Sequence, residues 1–171
     1  MDVFDAIKNR RSVRKYKKDP VETSKIQKCL EAAQWAPSAS NKQPWHFIVV
    51  KNEKTRKALS DIHPYGKFMK ESPVVIVVLC DPEKHPKYFM YDPCIATQNL
   101  LLAAYAQGLG TCWMGMVNVG FEDEVKAVLA IPDHVKILCC VSVGYPDETP
   151  TSTRKDLSKI VSYEKYGVNQ E

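Results

Sequence analysis

A chain of 171 residues with 44% hydrophobic and 26% charged side chains is sized and composed for one soluble globular domain, with no sign of disorder or of a second domain. Its formal charge of +4 is small for a broad nucleic-acid surface, and the surplus sits near the N-terminus, which favours a local site for a small anion. The longest uninterrupted apolar runs, Val74 to Cys80 and Leu100 to Ala106, are seven residues each, against the roughly 20 that a membrane-spanning helix requires.

The opening Met-Asp-Val-Phe-Asp is unlike a secretory signal, so a cytoplasmic location is expected. Six cysteines include no C-x-x-C pair and read as buried free thiols, with Cys139 and Cys140 facing opposite sides of a predicted strand. His46, His63, His85 and His134 are scattered without partners at ligand spacing, so no metal site is expected.

In chain order, Val3, Phe4 and Ile7 share one face of a helix from Asp2 to about Asn9. It runs into a basic stretch, in which seven of the eleven residues from Lys8 to Lys18 are Lys or Arg. If Arg10-Arg11-Ser12-Val13-Arg14 is extended, Arg10, Ser12 and Arg14 point to one side and offer donors to a single phosphate. Taken alone, the run reads more simply as solvated surface, or as cations complementing a helix C-terminus.

Thr23 or Ser24, with Gln27 beyond, predicts a capping box opening a helix whose buried stripe is Ile26, Leu30 and Ala33 and which Pro37 ends. The stretch from Ala36 to Trp45 is too rich in Pro, Ser and Asn for helix. Its small side chains would let a flat ligand approach the backbone, although the same composition describes an ordinary turn. A strand is predicted over His46 to Val50, and a polar helix from about Glu53 to Ile62. Next come the loop His63-Pro64-Tyr65-Gly66, a short segment bearing Lys67, and a valine-rich strand, Val74 to Cys80, buried on both faces.

Asp92-Pro93 predicts the N-cap and first position of the longest helix, which runs to Gln107 and is apolar on more than one side, so that Thr97, Gln98 and Asn99 need partners. Gly108 to Gly115 fails the dinucleotide fingerprint: Trp113 occupies the third glycine position and a helix, not a strand, comes before. A short helix through Phe121, Val125, Val128 and Leu129 ends before Pro132, and Val135 to Val143 is the last strand. The tail from Asp147 to Glu171 carries Arg154-Lys155, with Leu157, Ile160, Val161 and Tyr163 as docking residues.

Three stretches combine: Arg-Arg-Ser-Val-Arg at 10 to 14, Pro-Ser-Ala-Ser-Asn-Lys-Gln-Pro-Trp at 37 to 45, and Gly-Leu-Gly-Thr-Cys-Trp-Met-Gly at 108 to 115. In this order and spacing the chain resembles the nitroreductase family of flavoproteins. Ser-Pro-Val-Val-Ile-Val-Val at 72 to 78 and Gly-Tyr-Pro at 144 to 146 extend the resemblance across nearly the whole chain.

The resemblance implies an α+β fold, a central mainly antiparallel sheet flanked by helices, with residues 1–171 forming a single nitroreductase-like domain. It also implies an intertwined homodimer with two FMN sites at the subunit interface, residues 147–171 being a tail that packs on the partner. The implied activity is that of an FMN-dependent oxidoreductase passing hydride from NADH or NADPH through flavin N5 to a small electron-poor acceptor, a nitroaromatic or quinone, by a ping-pong mechanism. No nucleic-acid or membrane partner is implied.

By position, Arg10, Arg11, Ser12 and Arg14 resemble the anchor for the FMN phosphate and ribityl chain, with Arg154 as a second phosphate cation. Pro37, Ser38, Ala39 and Ser40 would come from the other subunit and line the ring. Lys67 matches a cation near the pyrimidine edge, although His63-Pro64 departs from the Asn or Gln often found just upstream. Met114 and Gly115 would lie beside the reactive edge, with the Gly115 N–H on N5. The short chain leaves no room for the insertion that covers the flavin in many relatives, which implies an open pocket. Because the cofactor performs the chemistry, no protein acid, base or nucleophile is nominated, and Cys112 is read as a packing residue. The alternatives are a non-catalytic flavin carrier or sensor, another flavin reaction such as reductive dehalogenation, and a nucleic-acid module using the basic run with steep salt dependence.

Overall fold

Valine and isoleucine dominate the centre of the sheet because strands covered on both faces need apolar side chains in both directions. The computed structural model describes residues 1–168; the last three residues of the expected tail, 169–171, lie outside them. The helices are α1 (Val3–Asn9), α2 (Thr23–Gln34), α3 (Glu53–Ile62), α4 (Tyr91–Ala106) and α5 (Glu122–Leu129). The strands are β1 (Trp45–Val50), β2 (Val74–Cys80), β3 (Gly110–Gly115) and β4 (Lys136–Gly144). They form one sheet in the order β1-β2-β4-β3, antiparallel throughout.

Alternation along β2 divides the core. Val74, Ile76, Val78 and Cys80 face the layer containing α2 and α4, whereas Val75, Val77 and Leu79 face the layer built from α3, a 3-10 turn at Lys67–Lys70, and α5. Cys139 enters the first core and Cys140 the second, as the adjacent positions require. All six cysteines are free, and five are buried. A bulge shifts the register so that Val78 faces Cys139 while Leu79 faces Ile137.

Two predicted helix starts are corrected. The capping box at α2 does not form: Glu22 is the N-cap and makes no side-chain cap, while the Thr23 hydroxyl accepts instead from Lys51 Nζ at 3.0 Å. Asp92 is not the N-cap of α4. The Tyr88 carbonyl already accepts from the N–H groups of Tyr91 and Asp92, so the helix opens earlier and the Asp92 carboxylate is released for another contact. Among the polar residues of α4, Thr97 donates to the Pro93 carbonyl at 2.7 Å and Asn99 to the Ala32 carbonyl at 3.1 Å, whereas Gln98 is exposed.

Apolar surface remains uncovered on α1, α4 and the tail. Val3, Phe4 and Ile7 of α1 are more than half exposed, as is Tyr91 of α4, and every residue from 151 to 168 is exposed. Among the described residues no helix is long and apolar enough to cross a membrane.

Candidate functional site

The basic stretch lies along the outer edge of β3. Ser12 forms a parallel bridge with Thr111, and the Val13 N–H donates to the Thr111 carbonyl at 2.9 Å. Gly110 permits this approach, since a Cβ there would come within 2.9 Å of the Val13 side chain. Farther along, Lys17 donates to the Tyr145 carbonyl and Asp147 to the Lys15 carbonyl, while the Glu148 carboxylate accepts from the N–H groups of Arg14 and Lys15. The buried Tyr16 hydroxyl donates to the Val13 carbonyl at 2.5 Å, which leaves Ser142 Oγ as its donor at 2.6 Å. Burial pushes the Tyr16 phenol well above its ordinary value.

Arg10, Ser12 and Arg14 gather around Cys112, and Arg154 comes close enough to repel Arg10. Burial first, then the charges of Arg154 and Arg11, lowers the Arg10 guanidinium from its usual value. Burial also raises the Cys112 thiol, against the opposing pull of Arg14, the Ser12 hydrogen bond and Arg10. The ion pairs among the described residues are Lys25–Glu22, Lys57–Asp61 and Lys126–Glu122, so no carboxylate pairs directly with the guanidinium of Arg10, Arg14 or Arg154, and Glu148, held at the Arg14 backbone, is the one carboxylate beside the cluster. Arg10, Arg14 and Arg154 against the single Glu148 carboxylate leave a net positive site that suits an anion with several acceptor oxygens. Arg11 is turned aside: its Nη1 donates to the carbonyls of Lys8 and Arg10 at 2.6 and 2.8 Å, closing the end of α1.

At the other end of β3 stands Gly115. Thr111 turns its carbonyl outward to Val13 and Met116 turns its N–H inward to Leu138. Backbone groups alternate along a strand, so Gly115, like Thr111, directs both its N–H and its carbonyl to the free edge. A side chain at Gly115 would meet nothing within 4 Å. Its carbonyl faces His63 Nε2 at 3.3 Å, and the N–H is left at the open edge. The Met114 side chain is buried in the second core and its backbone groups face Cys140 of β4, so of the two residues it is Gly115 whose polar groups reach the free edge. Lys67 is exposed on the neighbouring turn, where its Nζ donates to the Asp61 carbonyl at 3.1 Å.

The loop containing Pro37, Ser38, Ala39 and Ser40 is held elsewhere. The buried Asp92 carboxylate accepts from the Ala39 N–H at 3.1 Å, and Ser38 Oγ accepts from the Gln43 N–H at 3.0 Å. Ser40, Asn41 and Gln43 adopt φ of 51°, 53° and 48°, a left-handed backbone that asparagine tolerates and that strains the other two. This loop feeds β1, and β1 and β3 are opposite edges of the sheet, three strand spacings or roughly 14 Å apart. One chain therefore joins Arg10, Ser12, Arg14 and Arg154 to the strand that ends at Gly115, and sets residues 37–40 apart from them.

The model of the nitroreductase family matches residues 7–64 and 63–145. The chain belongs to the nitroreductase family. It is 44% identical over 155 residues to a protein of Methanothermobacter thermautotrophicus, across 88% of this chain and 80% of the relative; the relative's name, NADH dehydrogenase/NAD(P)H nitroreductase, is itself provisional. The structure of an FMN-dependent nitroreductase from Clostridium difficile R20291 superposes with a TM-score of 0.88 at 32% identity, over 95% of this chain and 99% of that one. A provisionally named nitroreductase from Desulfovibrio desulfuricans, solved in complex with FMN, gives 0.89 at 29% identity over 97% and 98% of the two chains. The antiparallel α+β architecture of the chain is thus that of its relatives.

Three supporting residues were not singled out from the sequence. Asp92 looked like a helix cap, and nothing in its neighbourhood signalled a contact with Ala39. Glu148 lies in a stretch mixed in charge, and its partners Arg14 and Lys15 are 134 and 133 residues away in sequence. His63 stood only as a departure from an expected pattern, yet it faces Gly115.

Proposed function

We propose that this nitroreductase-family protein is an FMN-dependent NAD(P)H oxidoreductase whose cofactor lies along the outer edge of β3. The observation that carries the reading is the pairing, on one strand edge, of a net positive cluster at Arg10, Arg14 and Arg154, whose guanidiniums are not ion-paired, with an outward-facing Gly115 N–H bordered by open space. The donor set suits a terminal phosphate, and a glycine without neighbours suits the close approach of a flat ring. When bound, the flavin supplies hydride chemistry at N5, taking a hydride from NADH or NADPH and delivering it to a nitroaromatic, quinone or similar acceptor in a ping-pong cycle.

The protein's part is positional. Arg10, Arg14 and Arg154 hold the phosphate, Ser12 adds a hydroxyl beside it, and the Gly115 N–H orients N5. Lys67 supplies positive charge near the pyrimidine edge, where the ring gathers negative charge on reduction. Pro37, Ser38, Ala39 and Ser40 reach the ring from a second copy of the chain, which explains their place at the opposite sheet edge. The exposed faces of α1 and α4 and the uncovered tail supply the apolar surface of that homodimer.

The visible spectrum of the purified protein tests the reading directly. A yellow protein whose flavin bands bleach on anaerobic addition of NADH or NADPH supports it; bound flavin that resists both nucleotides favours a carrier or sensor. Colourless protein that takes up no added FMN rules out the cofactor assignment.

A further inference from the structure

Resting on the flavin reading above, we propose that His63 is a positioning residue that fixes the Gly115 peptide and ties it to the turn bearing Lys67. Gly115 ends an edge strand, has no side chain, and has open space around its Cα, so no packing supports the outward direction that the β3–β4 ladder gives its N–H. The peptide that follows it is held at both ends. The Met116 N–H donates inward to the Leu138 carbonyl at 2.9 Å, and the Gly115 carbonyl meets His63 Nε2 outward at 3.3 Å. Leu138 is the extra residue of the β4 bulge, so the inward anchor sits where the sheet departs from regular register.

The ring itself is seated and has a defined tautomer. His63 Nδ1 accepts from the Tyr65 N–H at 3.2 Å, so the proton of the neutral ring lies on Nε2 and is donated to Gly115. The ring is 5% exposed and meets Phe121 edge to face at a centroid distance of 5.2 Å. Gly66 closes the turn beneath it, where an added Cβ would lie 3.0 Å from His63 and 2.5 Å from Met69 Cε. Two hydrogen bonds, a ring contact and a glycine that leaves room for the imidazole thus converge on one side chain, which spans from Lys67's turn to the end of β3. Catalytic geometry needs such support, because a displacement of about 1 Å costs on the order of a hundredfold in rate.

The test uses His63→Leu, which removes the donor, and His63→Gln, which keeps one. In the FMN-free wild type, nitrogen NMR of the imidazole is expected to show a protonated Nε2 and a bare Nδ1. In the FMN-loaded proteins, His63→Leu is expected to retain the flavin through the phosphate cluster, to shift its visible bands, and to slow anaerobic flavin reduction at saturating NADH by about tenfold with little change in KM, whereas His63→Gln recovers most of the rate. A His63→Leu protein with wild-type bands and reduction rate, or a bare Nε2 in the wild type, overturns the proposal. Wild-type protein that takes up no FMN overturns the flavin reading instead, and this role with it. Should His63→Leu not fold, His63→Gln and the wild-type NMR still decide.

Discussion

Arg10 and Arg11 are neighbours in sequence and opposites in circumstance. Arg11 spends its donors on carbonyls at the end of α1, while Arg10 is crowded by Arg154 and Arg11 with no carboxylate to offset them. Arg10→Ala is therefore expected to weaken FMN binding by roughly 1.5 to 3 kcal/mol, the worth of a charge-assisted contact, as measured by titrating FMN into apoprotein. Arg11→Ala should leave that constant within about threefold and act instead on the stability of α1. Asp92→Ala tests the other half of the site. Leaving the Ala39 N–H without its acceptor should cost about 1 to 3 kcal/mol in thermal unfolding and also weaken FMN retention, because a loop strained at Ser40 and Gln43 loses its anchor. Residue types were legible from the sequence where chemistry is concentrated, as in Arg10, Ser12 and Arg14. Partners 53 residues apart were not, as with Ala39 and Asp92, because side-chain reach across a fold leaves no local pattern.

Among the elements, α5 ends on a conformation poorly matched to its residue. Ala130 takes φ 53° and ψ 41° at the helix C-terminus, a left-handed cap that glycine adopts without steric cost. It is exposed, so nothing else depends on its methyl group. Ala130→Gly is expected to raise stability by about 1 kcal/mol, read from the denaturation midpoint at unchanged m-value. The contrast with α2 and α4 shows which helix signals a sequence carries. The 3.6-residue periodicity of Ile26, Leu30 and Ala33 located α2 correctly, since it reflects burial of a whole face. The capping signals at Thr23, Ser24 and Asp92 misled, since a side chain worth roughly 1 kcal/mol as a cap is free to take a better tertiary partner, as the Thr23 hydroxyl and the Asp92 carboxylate do. Strand positions survived for a related reason: the run Val74–Cys80 has no polar residue to place in water and can only be central.

For the molecule as a whole, buried thiols tie stability to alkaline pH. Burial raises Cys29 to about 11 and Cys80 and Cys140 to about 12, from 9.0. The folded chain therefore keeps protons that the unfolded chain releases above pH 9. This contribution is complete below that pH and is lost as pH rises toward 11 and 12, each thiol steepening the decline by up to about 1.4 kcal/mol per pH unit. Thermal unfolding under reducing conditions should show a progressive fall in Tm across this window, and Cys140→Ala should make it shallower. A midpoint flat from pH 9 to 11 would contradict the burial of these groups. The global fold was legible because the order and spacing of the motifs constrain the chain as a unit, while the quaternary arrangement was not, since exposed residues such as Phe4 and Tyr91 look alike whether they meet water or another subunit.

The opposite-edge placement of the two loop systems has a genetic consequence. If each flavin is shared between copies, a chain crippled at Arg10 still contributes a sound Ala39 loop, and a chain crippled at Asp92 still contributes a sound guanidinium cluster. Unfolding and refolding the two weakened variants together should generate mixed dimers with one intact site each, raising flavin affinity and NADH oxidation above what either variant shows alone. Failure of the mixture to recover either property, with mixed dimers demonstrated by mass, would mean that every site is built within a single chain.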